Sequence, residues 1–123
     1  TNGSRPAAPK PRSTAPADAP PPRAPTLDDA RAAADRGDLR RALELVGEVR
    51  AAGDRSVEIM VLKGSIHLAL GEEQHAETAL RQAVYLDPFH VEALLQLAAL
   101  AERRGDAGIA LRYRQRAAAG GRR

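Results

Sequence analysis

Three histidines and two pairs of adjacent acids are the side chains of this 123-residue chain whose types suit acid–base or metal chemistry. His67, His75 and His90 have no His or acid at a spacing that would complete a metal site with them. Asp28-Asp29 and Glu72-Glu73 each fall in the first turn of a predicted helix, where the helix dipole favours acids. We therefore interpret both pairs as helix caps, and we predict neither a catalytic site nor a metal site.

The chain also lacks the residues that several other common chemistries require. The chain has no Cys, which excludes disulfides, Cys-ligated zinc and thiol catalysis. It has no GxxxxGK[ST] loop, and we interpret Gly120-Gly121 as a frayed end rather than a strand-to-helix turn. It also shows no apolar run long enough to span a bilayer and no signal peptide. We predict a non-enzymatic chain that binds no cofactor and lies in the cytoplasm.

A basic segment near the C-terminus raises the alternative of nucleic-acid binding. Ile109 and Tyr113 are predicted to be buried together on one face of its helix, so no exposed aromatic side chain alternates with the cations to stack on bases. Positive charge near the C-terminal end of a helix is favourable in itself. We interpret the cations as a solvated face and predict no nucleic-acid partner. They are Arg112, Arg114, Arg116, Arg122 and Arg123.

The net charge of +3 is distributed unevenly along the chain. Residues 1–25 carry four basic groups and one acid, residues 24–102 carry 8 basic and 14 acidic groups, and residues 103–123 carry 7 basic groups and 1 acid. An acidic body therefore lies between two basic ends. This split leaves open a homodimer in which a basic end of one chain contacts the acidic body of another.

Residues 1–25 contain eight of the nine prolines, mixed with Ala, Ser and Arg, and no long aliphatic or aromatic side chain. Such a segment buries too little apolar area to offset the entropy of ordering its backbone. We predict a disordered linker, partly of polyproline conformation. The PxxP spacings Pro6–Pro9 and Pro22–Pro25 leave a docking motif for an aromatic groove as the alternative.

The rest of the chain is rich in Ala, Leu, Arg and Glu, which favour helices, and it repeats every 34 residues. A glycine followed by an acid recurs at this period, and a small Ala follows five residues later. A fixed period of this length indicates stacked helix–turn–helix units. An ordinary up-down bundle is the alternative. The repeated residues are Gly37, Gly71 and Gly105, then Ala42, Ala76 and Ala110.

The pattern predicts an all-α fold with helices at about 27–36 and 39–52, 57–70 and 73–86, and 89–104 and 107–119. Gly ends the first helix of each unit in a left-handed conformation, and Ala lets the second helix approach closely. We interpret Asp87-Pro88 as the start of the fifth helix, with Asp as its cap. The large apolar residues predicted to pack between helices are Leu43, Val46, Val49, Ile59, Leu62, Ile66, Leu70, Leu80, Val84, Leu94, Leu97, Leu100, Ile109 and Tyr113.

These residues resemble the tetratricopeptide repeat, a 34-residue helix–turn–helix. In the middle unit the family's pattern falls on Gly64, Gly71, Ala76, Leu80, Ala83 and Pro88. The third unit keeps Leu94, Leu97, Ala98, Gly105, Ala110 and Ala117, and the first keeps Ala30, Gly37, Ala42 and Val46. The resemblance implies three tandem units in a short right-handed superhelix. Their bounds would be about 23–56, 57–90 and 91–123, forming a domain over 26–119 with a frayed end at 120–123.

The sequence departs from the family's pattern at several positions. The family's early Trp is replaced by Met60 and Leu94, and its Tyr by His67 and Ala101. Arg114 stands where an apolar residue is usual. We therefore expect the last helix to form a polar-faced cap.

The resemblance also implies a concave protein-binding face lined by the first helix of each unit. An apolar floor with acids on the rim fits an amphipathic helix or an extended segment with basic flanks. The Lys and Asn that clamp a C-terminal carboxylate in chaperone-binding members are absent. The face would comprise Leu27, Arg31, Ala34 and Asp35, then Glu58, Val61, Ser65, Leu68 and Ala69, then Glu92, Leu95, Ala99, Glu102 and Arg103.

Residues 62–119 resemble the C-terminal tetratricopeptide region of CheR-type chemoreceptor methyltransferases, and among these the Wsp type. The phrases that carry this likeness are 83–88 (AVYLDP), 90–94 (HVEAL) and 100–106 (LAERRGD). The resemblance implies a bacterial parent enzyme that methylates receptor glutamates with S-adenosylmethionine bound in another domain. We expect this chain to be a piece of that protein that recruits the enzyme to its receptor complex. A generic scaffold of a secretion or pilus-assembly complex is the alternative.

Overall fold

The computed structural model describes residues 23–122, and within them the chain is all-α. The helices are α1 (Leu27–Asp35), α2 (Leu39–Ala51), α3 (Val57–Ala69), α4 (Glu73–Leu86), α5 (Val91–Arg103) and α6 (Ala107–Gly120). The predicted fold class is confirmed, and every predicted helix has bounds within two residues of those expected. Two parts of the chain lie outside the described residues: 1–22 of the predicted linker and Arg123. The first of them contains the whole of the Pro6–Pro9 spacing and Pro22 of the Pro22–Pro25 spacing.

The repeated glycines end α1, α3 and α5 in the left-handed conformation that the sequence predicted. Gly37, Gly71 and Gly105 have φ of 81°, 78° and 79°. After α1, the N–H of Asp38 donates to the carbonyl of Ala33 at 3.0 Å, which closes the turn. The same bond recurs after α3 and α5, at 2.8 Å and 2.9 Å. Because non-glycine residues reach this conformation only at a cost, the period reflects three identical helix ends.

Both pairs of acids lie at helix starts, as interpreted, but a side-chain capping bond forms for Asp28-Asp29 only. Asp29 and Thr26 form a capping box at the start of α1. Glu72, the N-cap residue of α4, makes no side-chain capping bond. Its carboxylate instead accepts from His67 Nδ1 at 2.8 Å, so it serves a contact between helices.

The predicted start of the fifth helix at Asp87-Pro88 is wrong. Asp87 is the C-cap residue of α4, and α5 begins at Val91 with His90 as its N-cap. The ring of His90 accepts from the N–H of Ala93 at 3.3 Å, which supplies the cap that Asp87 was expected to make. Pro88 therefore lies in the connection between units.

The helices pack as three antiparallel pairs that stack in chain order. α1 contacts α2, α3 contacts α4 and α5 contacts α6, while α2 meets α3 and α4 meets α5. Ala42, Ala76 and Ala110 are fully buried, as the close approach of each pair requires. One cluster of buried residues runs from α1 to α5, and a smaller one joins α5 to α6.

Most of the predicted packing residues lie in these clusters, but Ile109 does not. Its side chain is 37% exposed, and Leu111 on the same helix is 53% exposed. Tyr113 is partly buried against both clusters. The last helix is covered on one side only, so it keeps apolar side chains in solvent that an inner helix would bury.

Candidate functional site

The first helices of the three pairs lie side by side and form one surface, which we call the α1/α3/α5 face. α1 touches α3 directly, and Gln96 of α5 donates to Ser65 of α3 at 3.0 Å. The same amide donates to Glu92 at 3.3 Å. The first bond connects α3 to α5, and the second lies within α5 and orients the Gln96 amide.

Two clefts on this face bring together eight of its fourteen predicted site residues. The first has a volume of about 110 Å³ and the second about 330 Å³. Arg31, Ser65 and Glu92 line both clefts. Glu58 and Val61 line the first, and Ala34, Asp35 and Ala69 line the second.

The remaining predicted site residues are placed differently. Leu27 and Leu68 are partly buried against the core, whereas Leu95 is 48% exposed and Ala99 is exposed. Glu102 pairs with Arg114 of α6, and Arg103 pairs with Glu73 of α4. The charges at this end of the face therefore already have partners within the chain.

The charge and depth of the clefts define what they could accept. Val61 is only 5% exposed, so it forms part of the core as much as of the floor. Glu58 and Glu92 are exposed on the rim, while Arg31 is drawn toward Asp28 at 3.6 Å. An acidic rim above a narrow floor suits a basic, extended or helical segment better than a compact small molecule.

A polar cluster joins the end of α3 to the start of α4. His67 is 6% exposed, and its ring lies 5.1 Å from that of His75. The hydrogen bond from His67 lowers the pKa of Glu72, with a smaller contribution from Arg40 3.4 Å away. Arg40 belongs to α2, so the cluster also connects neighbouring pairs. The interpretation of His67 as a packing residue agrees with its burial, and the sequence missed its bond to Glu72.

No group of three His, Cys, Asp or Glu side chains within residues 23–122 is arranged to hold a metal ion. Every helix in the same range is too short or too polar to cross a bilayer.

The arginines of α6 are partly engaged in structure. Arg116 donates to the carbonyl of Pro88 at 2.9 Å, and a side chain at Gly120 would collide with the carbonyl of Phe89. The end of α6 thus packs on the connection between α4 and α5. With Arg114 paired to Glu102, these contacts favour a structural interpretation of the basic segment over a nucleic-acid surface.

Sequence reasoning missed a groove of about 670 Å³ on the other side of the molecule. It lies between the end of α2, the start of α3 and the end of α4, and we call it the α2/α4 groove. Its lining residues are Arg50, Arg55, Ile59, Met60, Thr78, Arg81, Gln82, Tyr85 and Leu86.

One signal in the sequence pointed to this groove. Val84, Tyr85 and Leu86 are three consecutive apolar residues in a helix, and successive positions differ by about 100° around the axis. They cannot all face one core. Tyr85 is 86% exposed and Leu86 is 54% exposed, while Val84 is partly buried.

Comparison with known proteins relates most of this chain to one kind of protein. It is 39% identical over 94 residues to the "Probable biofilm formation methyltransferase WspC" of Pseudomonas aeruginosa, an alignment that covers 76% of this chain and 22% of that protein. It is 40% identical over 67 residues to the protein of the same name from Pseudomonas putida, covering 54% of this chain and 16% of that protein. No family model matches the chain.

The predicted similarity to Wsp-type methyltransferases is thus confirmed over these residues. The chain spans about a fifth of the length of these curated relatives, or less. Assignment to the tetratricopeptide family stays a prediction.

Proposed function

We propose that this chain is a protein-binding module of the tetratricopeptide type within a longer methyltransferase related to WspC. In this proposal it positions the enzyme at a receptor signalling complex, and catalysis with S-adenosylmethionine takes place in another domain. The observation that carries the proposal is the similarity to WspC over 94 residues of a chain whose described part forms stacked helix pairs. Stacked pairs present extended surfaces, which are suited to protein segments.

The α1/α3/α5 face is the proposed contact surface for a receptor-complex component. Three features support this role: the side-by-side helices, the acidic rim at Glu58 and Glu92, and the exposed Leu95. A partner segment with basic flanks and an apolar anchor would complement these features.

Binding to this face is tested with peptides tiled across the components of the receptor complex encoded with the parent enzyme. Calorimetry on the full chain first identifies a binding peptide. The affinity of the variant Leu95→Lys with Ala99→Lys for that peptide is then measured, because Lys removes the apolar contact and also repels basic flanks. Both positions are exposed, so the substitutions are expected to leave the fold intact while weakening binding by about tenfold or more.

The control is Leu111→Glu, an exposed apolar position on α6 outside the face. It is expected to bind like the unchanged chain. Equal affinity in both variants, or no binding by any tiled peptide, would contradict the proposed function.

Self-association is a second candidate, favoured by the exposed Ile109 and Leu111 on α6. Two copies that met through this helix would cover Leu111, the more exposed of the two side chains. Sedimentation of the full chain and of Leu111→Glu distinguishes the cases, because a dimer through α6 would dissociate in the variant. A monomer in both samples contradicts this candidate.

A further inference from the structure

The α2/α4 groove faces away from the surface used in the proposed function. Met60 lines the groove and Ser65 lines the clefts of the α1/α3/α5 face, and at 3.6 residues per turn they are separated by about 140° around α3. The two surfaces share no lining residue. An occupant of the groove would therefore leave the α1/α3/α5 face accessible.

The floor and one wall of the groove are apolar. Ile59 is fully buried and Met60 is 4% exposed, so they form a base that is part of the core. Tyr85 and Leu86 stand at the rim and are largely exposed. An exposed aromatic side chain beside an apolar depression is typical of protein contact sites, where Tyr supplies much of the binding energy. Met60 adds a side chain that adapts to varied partners.

The rim of the groove carries cations without strong partners. Arg50 makes no ion pair within residues 23–122, and Arg55 donates only to the backbone carbonyls of Arg50 and Asp54, at 2.6 Å and 3.5 Å. Arg81 has one carboxylate partner, Glu77, at 3.6 Å. Elsewhere on the described surface, Arg41, Arg103 and Arg104 are held by hydrogen bonds to carboxylates.

The positive field extends beyond the groove itself. Lys63 lines an adjoining depression together with Arg50, Thr78 and Gln82. Burial lowers the pKa of Lys63, and the charge of Arg50 lowers it further. Two cations that repel each other in this way would be stabilised by an incoming carboxylate.

We propose that the α2/α4 groove binds an acidic amphipathic segment of a second protein. Its aromatic or aliphatic anchor packs against Tyr85 and Leu86 above the buried floor, and its carboxylates lie beside Arg50, Arg55 and Arg81. Charge complementarity selects the acidic partner, and the apolar floor between the cations selects a protein segment over a nucleic acid. The chain then has two surfaces of opposite charge preference. It can link a basic segment on one side to an acidic segment on the other.

The test uses the full chain and two synthetic peptides that share one stripe of Leu and Phe. One peptide carries Glu on the flanks of the stripe and the other carries Lys. In fluorescence anisotropy with a labelled Glu peptide, the unlabelled Lys peptide is expected to compete at least about tenfold more weakly than the unlabelled Glu peptide. NMR with the Glu peptide is expected to shift the Met60 methyl and the Tyr85 ring, and to leave Leu95 unchanged.

Two variants and two matched controls locate the contact. The first variant is Arg50→Glu with Arg81→Glu, and the second is Tyr85→Ser. Each is expected to weaken binding of the Glu peptide by about tenfold. Arg112→Glu and Leu111→Ser, which change an exposed cation and an exposed apolar residue on α6, are expected to bind normally. Circular dichroism checks that all four remain folded.

Three results would overturn the proposal. The first is equal competition by the two peptides for the site of the labelled Glu peptide, or binding of the Glu peptide that the groove variants do not change. The second is self-association of the free chain that Tyr85→Ser abolishes, since the occupant would then be a second copy. The third is binding of phosphatidylserine vesicles that competes with the Glu peptide and depends on Arg50 and Arg81, since the surface would then be a lipid site. None of these outcomes depends on whether the α1/α3/α5 face binds its own partner.

Discussion

Gly64 lies directly against Leu80, and this contact sets the distance between α3 and α4. A methyl group built on Gly64 would lie 2.7 Å from Cγ and 2.8 Å from Cδ2 of Leu80. Leu80 is fully buried, so it has no free space to move into. The absence of a side chain at position 64 is therefore a packing requirement.

We predict that Gly64→Ala destabilises the chain by about 1–2 kcal/mol. Overpacking a well-packed core costs about 1–3 kcal/mol, and the gain of about 0.5–1 kcal/mol from replacing a helical Gly offsets only part of that cost. Urea unfolding followed by circular dichroism measures the difference.

Gly47→Ala provides the matched control. Gly47 lies in α2, is exposed, and has nothing within 4 Å of an added methyl. We expect this variant to be more stable than the unchanged chain by about 0.5–1 kcal/mol. Changes of the same sign at the two glycines would contradict the packing argument.

At the scale of a single element, α1 depends on its first turn. It has only nine residues and buries Ala30 and Ala33, which contribute little apolar area. Asp29 compensates by accepting from Arg23 at 2.9 Å and 3.1 Å and from the Thr26 N–H at 2.8 Å. These bonds, that of Arg23 first, lower the pKa of Asp29 from 3.8 to about 2.

This shift predicts how the stability of α1 depends on pH. Because the pKa is lower in the folded chain, the contribution of Asp29 is fully present above the unfolded value of 3.8 and is lost as the pH falls toward about 2. Asp29→Asn should therefore lower the melting temperature at neutral pH, and the difference from the unchanged chain should shrink between those two values. Thermal scans across this range measure it.

Asp35→Asn is the control for this prediction, because Asp35 is exposed on the same helix and accepts no hydrogen bond within residues 23–122. We expect it to change the melting temperature at neutral pH by less than Asp29→Asn does. A gap between Asp29→Asn and the unchanged chain that stays constant with pH would contradict the role of the Asp29 charge.

At the scale of the whole molecule, the helix at the C-terminal end of the stack, α6, has fewer stabilising contacts than the inner helices. α3 and α4 have neighbouring helices on both sides, whereas α5 is the main helix that packs against α6. The small cluster beneath α6 consists mainly of Ala98, Ala101 and Ala110, with Tyr113 packed against it. In stacked repeats each unit is stabilised by its neighbours, so an end unit has fewer stabilising contacts.

We predict that hydrogen exchange will rank the helices accordingly. Amides of α4 should be the best protected, and those of the last two turns of α6 should exchange first. Mass spectrometry after a deuterium pulse measures the order. Uniform protection across α3 to α6 would show that the stack unfolds as one unit instead.

The sequence predicted the bounds of the helices better than it predicted capping residues and side-chain burial. Helix bounds followed well because Gly37, Gly71 and Gly105 end helices through their own backbone freedom, which is a local property. The start of α5 was missed because the cap came from His90 instead of Asp87, and both residues have side chains able to accept the bond. The exposure of Ile109 was also missed, since periodicity cannot tell whether a neighbouring helix covers a face.

The sequence by itself therefore determined the all-α class, the helix ends and the alternation of small and large residues, because backbone preference and helical period act over a few residues. Only the tertiary structure decided which charges find partners and which stay free. Arg103 and Arg50 look alike in the sequence, yet the first reaches Glu73, 30 residues away, and the second reaches no carboxylate within residues 23–122. Binding surfaces arise from such distances between helices, and spacing along the chain does not contain them.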